Sequence, residues 1–198
     1  MDNNAKKIFL PIFSYIEGLP ADKTAIIAID GGSASGKTTL ASILKERYAC
    51  NVIRMDDFFL RPEQRTPERF AEVGGNVDRE RFESEVLPAL KNNEAVCYQP
   101  YDCRTQTLGE KIILAPNKIT VVEGVYSMHP EFSRYYDVAI FLDIGSEYQR
   151  ERILKRNSPA LAERFFNEWI PLENRYFSGM KVRERSDIII NIQKSTDF

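Results

Sequence analysis

The octapeptide "GGSASGKT" at residues 31–38 has the spacing G-x-x-x-x-G-K-[ST]. Gly31 and Gly36 permit backbone dihedrals that side chains forbid, so successive N–H groups can turn toward one point. Such a nest, placed at the head of a helix whose dipole adds positive charge, is built to hold phosphate. Within it Lys37 reaches the β and γ oxygens, and the Thr38 hydroxyl can ligate Mg²⁺. This chemistry requires a strand leading in and a helix leading out. "AIIAID" (25–30) and the apolar face of Leu40, Ile43 and Leu44 meet both conditions.

A bound metal also needs an acid near its water shell. Glu123 ends the apolar run "ITVVEG" (119–124) and is the preferred candidate; Asp143, ending "AIFLD", is its rival. The third chemical string is "RMDDFFLRP" (54–62), with two carboxylates and two aromatics at the end of the second strand candidate. Open α/β sheets bind ligands at such carboxyl ends. A carboxylate there can accept the proton of a hydroxyl attacking a γ-phosphate, and an aromatic beside it can pack on a sugar or base.

Other residues are given blander readings. Arg61, Arg65 and Arg69 recur every four residues and could hold an anion if they converged, but Glu63 and Glu68 neutralise them locally. His129, the single histidine, is assigned no catalytic role. Trp169 and Tyr176 are read as packing the C-terminal helix. A GTPase reading falls to a minor alternative, because "NKIT" (117–120) lacks the Asp of N-K-x-D and precedes a strand, and no D-x-x-G element is present.

These side chains need a frame. The runs at 25–30, 51–55, 119–124, 137–144 and 186–190 are β-branched and nearly continuous in apolar residues, as in parallel strands covered on both faces. Helical patterns alternate with them, which predicts an α/β domain with a central parallel sheet. Phe82, Val86, Leu87 and Leu90 mark one helix that Pro88 should bend, and Ser158-Pro159 start another that Pro171 should break or kink. Residues 98–114 fit the alternation less well and suggest a hairpin flap. Residues 4–18, within an N-terminal stretch 1–24, read as a lead-in helix.

The 198 residues are expected to form one domain. A net charge of -2 argues against broad binding of nucleic acid or anionic membrane. Cys50, Cys97 and Cys103 are odd in number and lack paired metal spacing, so reduced thiols in a cytoplasmic protein are expected. "KKIFLPIF" is too short and too broken by Pro11 for a signal peptide, and nothing approaches the ~20 apolar residues of a membrane span.

From residue 25 to 190 the chain resembles the uridine kinase and phosphoribulokinase group of P-loop kinases, which includes nicotinamide riboside kinases. "IDGGSASGKTTLA" is similar to its phosphate loop and "MDDFF" to its acceptor-binding motif. "NVD" with "RFESEVLPAL" resembles its ribose-binding loop and helix, "YD" (101–102) its flap, "VVEGVYS" its E-G strand end, and "RERILKRN" (150–157) its lid helix.

The resemblance implies a P-loop three-layer α/β/α sandwich with a small flap and a lid at about 146–166. It implies ATP bound by Gly31, Gly32, Ser33, Ala34, Ser35, Gly36, Lys37, Thr38 and Thr39, with Mg²⁺ at Thr38 and Glu123. Asp56 would be the general base. Phe59, Asp78, Tyr101 and Gln106 would join Asp56 around the acceptor, and Arg152 and Arg156, with Lys155 competing, would close on the phosphates.

The chain departs from the family where nucleoside kinases carry a His and an Arg after the flap's Tyr-Asp. Gln106 and Leu108 stand there, and "KRNSPALAERFF" is a shorter lid with only Arg164 nearby. The expected partner is a small-molecule phosphoryl acceptor, by resemblance a nucleoside. An anionic metabolite and a nucleotide-dependent switch stay open, as does a homo-oligomer.

Overall fold

The β-branched runs around the phosphate motif pair as parallel strands in the computed structural model of the protein, which describes residues 7–194. β1 (Ala25–Gly31) is central. It pairs with β7 (Ile119–Glu123) on one side and β8 (Val138–Ile144) on the other. β2 (Asn51–Arg54) lies outside β7, and β9 (Ile188–Ile192) outside β8. The order is therefore β2-β7-β1-β8-β9, parallel throughout.

Alternation along β1 feeds two cores. Ile27 and Ile29 pack with Val121, Ile140 and Leu142 against Ile12 and Ile16 of α1 (Leu10–Glu17) and Leu40 and Leu44 of α2 (Lys37–Tyr48). Ala28 faces the other way, with Val122 and Phe141, toward Phe58, Phe82, Phe132 and Tyr176. Covering on both faces explains why the strands read as continuous apolar runs. The lead-in helix is observed as α1; residues 4–6 of the expected span lie outside the described residues.

Between β2 and residue 95 the chain is short-stepped. α3 (Pro67–Ala71) is capped by Thr66, whose hydroxyl accepts from Arg69 N at 3.2 Å. The helix expected to bend at Pro88 is two helices, α4 (Arg79–Glu85) and α5 (Leu87–Lys91), with Pro88 in the first turn of the second. That position is where the missing N–H of proline costs nothing.

The flap is two antiparallel ribbons. β3 (Val96–Tyr98) pairs with β6 (Ile112–Leu114), and β4 (Tyr101–Asp102) with β5 (Thr107–Leu108). Neither is hydrogen-bonded into the five-stranded sheet.

The lid region holds α6 (Ser146–Arg156) and α7 (Pro159–Arg164), the latter capped by Ser158 as expected. Pro171 does not end the helical run that follows. A π turn over Phe165–Trp169 joins α7 to α8 (Ile170–Gly179), and Pro171 falls in the first turn of α8. The wider i→i+5 turn takes up the backbone disruption that a proline brings. Among the described residues no helix is long and apolar enough to cross a membrane.

Candidate active site

The carboxyl ends of β1, β2 and β7 open on a cavity of about 1190 Å³. Its walls include Ser33, Ala34, Gly36, Lys37, Thr38 and Thr39 of the loop after β1, Asp56 and Phe59 after β2, and Glu123 at the end of β7. Gln106 of the flap and Arg152, Arg156 and Arg164 of the lid also line it.

The loop has the conformation its glycines were expected to permit. Gly31 and Gly36 take φ of 143° and 99°, and a Cβ on Gly31 would lie 2.4 Å from the Leu142 carbonyl oxygen of β8. Lys37 Nζ donates to the carbonyls of Gly31 (2.7 Å) and Gly32 (3.1 Å), so the ammonium lies across the loop. The Ser35 hydroxyl is buried without a hydrogen-bond partner, a polar atom left for something that enters the loop.

Thr38 Oγ1 donates to Glu123 Oε1 at 3.1 Å. Burial raises the Glu123 pKa, opposed by the nearby Lys37 and reinforced by Asp56. The rival Asp143 is ion-paired to Arg183 at 2.9 Å and is absent from the cavity wall. Among the described residues no three His, Cys, Asp or Glu side chains cluster as a metal cage. One hydroxyl and one carboxylate are what Mg²⁺ takes from a protein when phosphates and water fill its other positions, so the residues present fit that ion.

The two acids of "MDDFF" are parted by a 3₁₀ turn over Met55–Phe58. Met55 and Phe58, three apart, both anchor in the core, which turns the intervening acids outward. Asp56 faces the cavity. Asp57 does not; it accepts from Tyr98 OH at 3.0 Å, and burial raises its pKa.

Two expected acceptor residues stand back from the wall. Asp78 caps α4, accepting from Arg81 N at 3.1 Å, and lies 3.7 Å from Arg61 Nε; Tyr101 is buried beneath the Arg65 guanidinium. Lys155 is exposed and outside the cavity. Burial, then the neighbouring Arg152, lowers the Arg156 pKa, while Glu173 and Asp56 oppose that shift.

The three spaced arginines do not converge. Arg69 is forked onto Glu80 at 2.7 and 2.8 Å, Arg61 pairs with Glu63 and Asp78, and only Arg65 reaches the cavity. Trp169, read as a packing residue, lines the cavity, with Arg164 over its ring at 5.0 Å; Tyr176 is a core residue as expected.

Sequence reasoning missed Asp30, Gln149 and Glu173. Fully buried Asp30 accepts from Gly31 N (2.7 Å), Met128 N (3.0 Å) and Tyr176 OH (2.8 Å), and burial pushes its pKa up to about 6. An acid closing an apolar strand was its only signal. Glu173 and Gln149 bond the phosphate loop from elements more than a hundred residues away, and nothing local marks them.

A profile described as the Phosphoribulokinase / Uridine kinase family matches residues 26–160. A uridine kinase of Macrococcus caseolyticus (strain JCSC5402) is 30% identical over 185 residues, covering 85% of this chain and 88% of that protein. A structure from Bacillus stearothermophilus, described as a possible uridine kinase, aligns with a TM-score of 0.72 at 21% identity, covering 93% of this chain and 98% of that one. D-glycerate 3-kinase from Cryptococcus neoformans var. grubii aligns with a TM-score of 0.58 at 12% identity over 89% of this chain and 88% of the other. At those identities the two structures establish the fold alone.

Proposed function

We infer that this chain, which belongs to the phosphoribulokinase/uridine kinase family and is a kinase of that family, transfers the γ-phosphoryl group of ATP to a hydroxyl of a small molecule. A nucleoside ribose is the acceptor that its named relatives favour. The observation that carries the reading is one cavity with Lys37, Thr38 and Glu123 on one wall, Asp56 on another, and Arg152 and Arg156 on a third.

In this reading the loop amides and Lys37 hold the β- and γ-phosphates. Bound Mg²⁺, at Thr38 and Glu123, would neutralise phosphate charge. Asp56 orients the acceptor hydroxyl and takes its proton as the oxygen bonds to the γ-phosphorus, the bond to the β-phosphate oxygen breaks, and ADP departs. Arg152 and Arg156 stabilise the charge that gathers on the transferring group.

A second acceptor class is favoured by Arg65, which faces the cavity beside Cys103 and Gln106 where a base-reading His or Arg is missing. Its guanidinium suits a carboxylate or phosphate on the acceptor. ADP formation from Mg-ATP, measured with and without uridine, cytidine, nicotinamide riboside, pantothenate, glycerate and simple sugars, separates the readings. Strong stimulation by a nucleoside supports the first, and stimulation by glycerate or pantothenate alone supports the second. Turnover independent of every hydroxyl compound would sink the kinase assignment of this cavity.

A further inference from the structure

The phosphate loop is gripped from outside at one residue. Ser33 N donates to Glu173 Oε2 at 2.9 Å, and the Ser33 hydroxyl donates to Glu173 Oε1 in a short contact. The Ser33 carbonyl accepts from Gln149 Nε2 at 2.9 Å. Each polar group of this residue is thus held by a side chain of α6 or α8, and both of those side chains are buried. The next loop residue, Ala34, takes φ of 64° and packs against Ile153 of α6 and Ala162 of α7.

A glycine- and serine-rich loop has much conformational freedom to lose when it closes on an anion. Here that loss is already met inside the protein. A carboxylate that accepts two donors from one residue fixes that residue's orientation. Glu173 also stands beside Lys37, which offsets its charge in a cavity meant for phosphate. Helix α6, which supplies both Gln149 and Ile153, also carries Arg152 and Arg156, each three residues beyond one of them.

We propose that Glu173, assisted by Gln149, is a positioning residue: it holds the phosphate loop in its anion-binding shape and locks it in register with the lid arginines. This rests on reading the cavity as an ATP site. Glu173 touches no reacting atom in this proposal. It acts through Ser33 and requires a hydrogen-bond acceptor there more than a charge.

The test uses the full chain and three variants. Glu173→Ala removes both bonds. Glu173→Gln keeps a carbonyl oxygen for the Ser33 N–H and offers its NH₂ to the Ser33 hydroxyl. Ser33→Ala removes one bond only. Hydrogen–deuterium exchange of the 31–38 segment without ligand reads the loop directly. Titration with Mg-ATP, followed by calorimetry and by emission of Trp169, the single tryptophan, reads affinity without turnover.

Expected are faster loop exchange and an ATP affinity lowered about 10–100-fold in Glu173→Ala, as for losing two ordinary hydrogen bonds. Glu173→Gln should stay within about threefold of the parent and Ser33→Ala should fall between. Steady-state KM for ATP should rise in Glu173→Ala while the acceptor KM holds. Unchanged loop exchange in Glu173→Ala overturns the proposal, as does Glu173→Gln binding ATP more tightly than the parent or as weakly as Glu173→Ala. If Glu173→Ala does not fold, Ser33→Ala and Glu173→Gln decide alone, and parent-like exchange and affinity in Ser33→Ala overturn it. Should the parent ignore Mg-ATP while Glu173→Ala exchanges faster, the clamp stands and the ATP site falls.

Discussion

Asp56 and Asp57 are adjacent and chemically identical, yet their surroundings give them different work. Asp56 reaches the cavity and Asp57 is spent on Tyr98. Asp56→Asn is expected to lower kcat by about 10²–10⁴-fold with ATP affinity retained, the range for losing a general base. Asp57→Asn should leave most of the turnover; steady-state kinetics on both variants checks the assignment, and the reverse ranking would overturn it. Asp30 and His129 make a second residue-level pair. Burial pushes the Asp30 pKa from 3.8 up to about 6, and pushes the His129 pKa from 6.5 down to about 4. Folded Asp30 holds a proton that the unfolded chain releases, so its contribution falls as pH rises from 3.8 to 6, by about 3 kcal/mol. Folded His129 lacks a proton that the unfolded chain takes up, so its contribution is lost as pH falls from 6.5 toward 4. The two oppose each other over one window. Asp30→Asn should therefore lose stability on acidification more steeply than the parent, and urea unfolding between pH 4.5 and 7 would show parallel curves if that is wrong.

At the level of elements, α6 presents Arg152 and Arg156 four residues apart on one face, with Lys155 turned out to solvent. Arg156→Gln is expected to lower kcat about 10²–10³-fold, as for removing one preorganised donor, whereas Lys155→Ala should leave kcat and both KM values unchanged. Equal losses in the two variants would reassign the lid contact. The elements best legible in the sequence were those with a local cause. Continuous β-branched runs announced the five strands of the parallel sheet to within a residue or two, because burial on both faces demands them. Gly31, Gly36, Lys37 and Thr38 declared the loop for a similar reason: its geometry is written into consecutive residues. Reading failed where the cause is distant or cooperative. The spaced Arg61, Arg65 and Arg69 read as neutralised by Glu63 and Glu68; Arg61 does pair with Glu63, but the more distant Glu80 takes Arg69 and Arg65 turns to the cavity. Pro171 argued for an interrupted helix, and only the π turn before it shows how the run continues. The Glu173 carboxylate carries no local mark because its partner is 140 residues away.

Over the whole molecule, the sheet divides two apolar cores, and the candidate site lies at the carboxyl ends of its strands. Leu44, fully buried beneath β1, belongs to the core shared by α1 and α2. Leu44→Ala should cost about 2–5 kcal/mol of stability by losing apolar burial and leaving a cavity. Urea unfolding measures it, and a loss near zero would mean the core collapses around the gap. The phosphate side of the site is wired into this frame: Asp30 joins Gly31, Met128 and Tyr176, and Gly31 sits against the β8 backbone. The flap is tied to this frame from one side only: Val96, Tyr98 and Tyr101 are buried and Tyr98 bonds Asp57, while neither ribbon joins the five-stranded sheet and Cys97, Thr107, Leu108 and Ile113 face solvent. Substitution therefore has different consequences in the two places. One at Asp30 or Gly31 disturbs buried packing, whereas one at Thr107 or Leu108 changes the flap's outer face and leaves the interior packed. The outer flap is the part of this molecule that can vary at least cost to the rest.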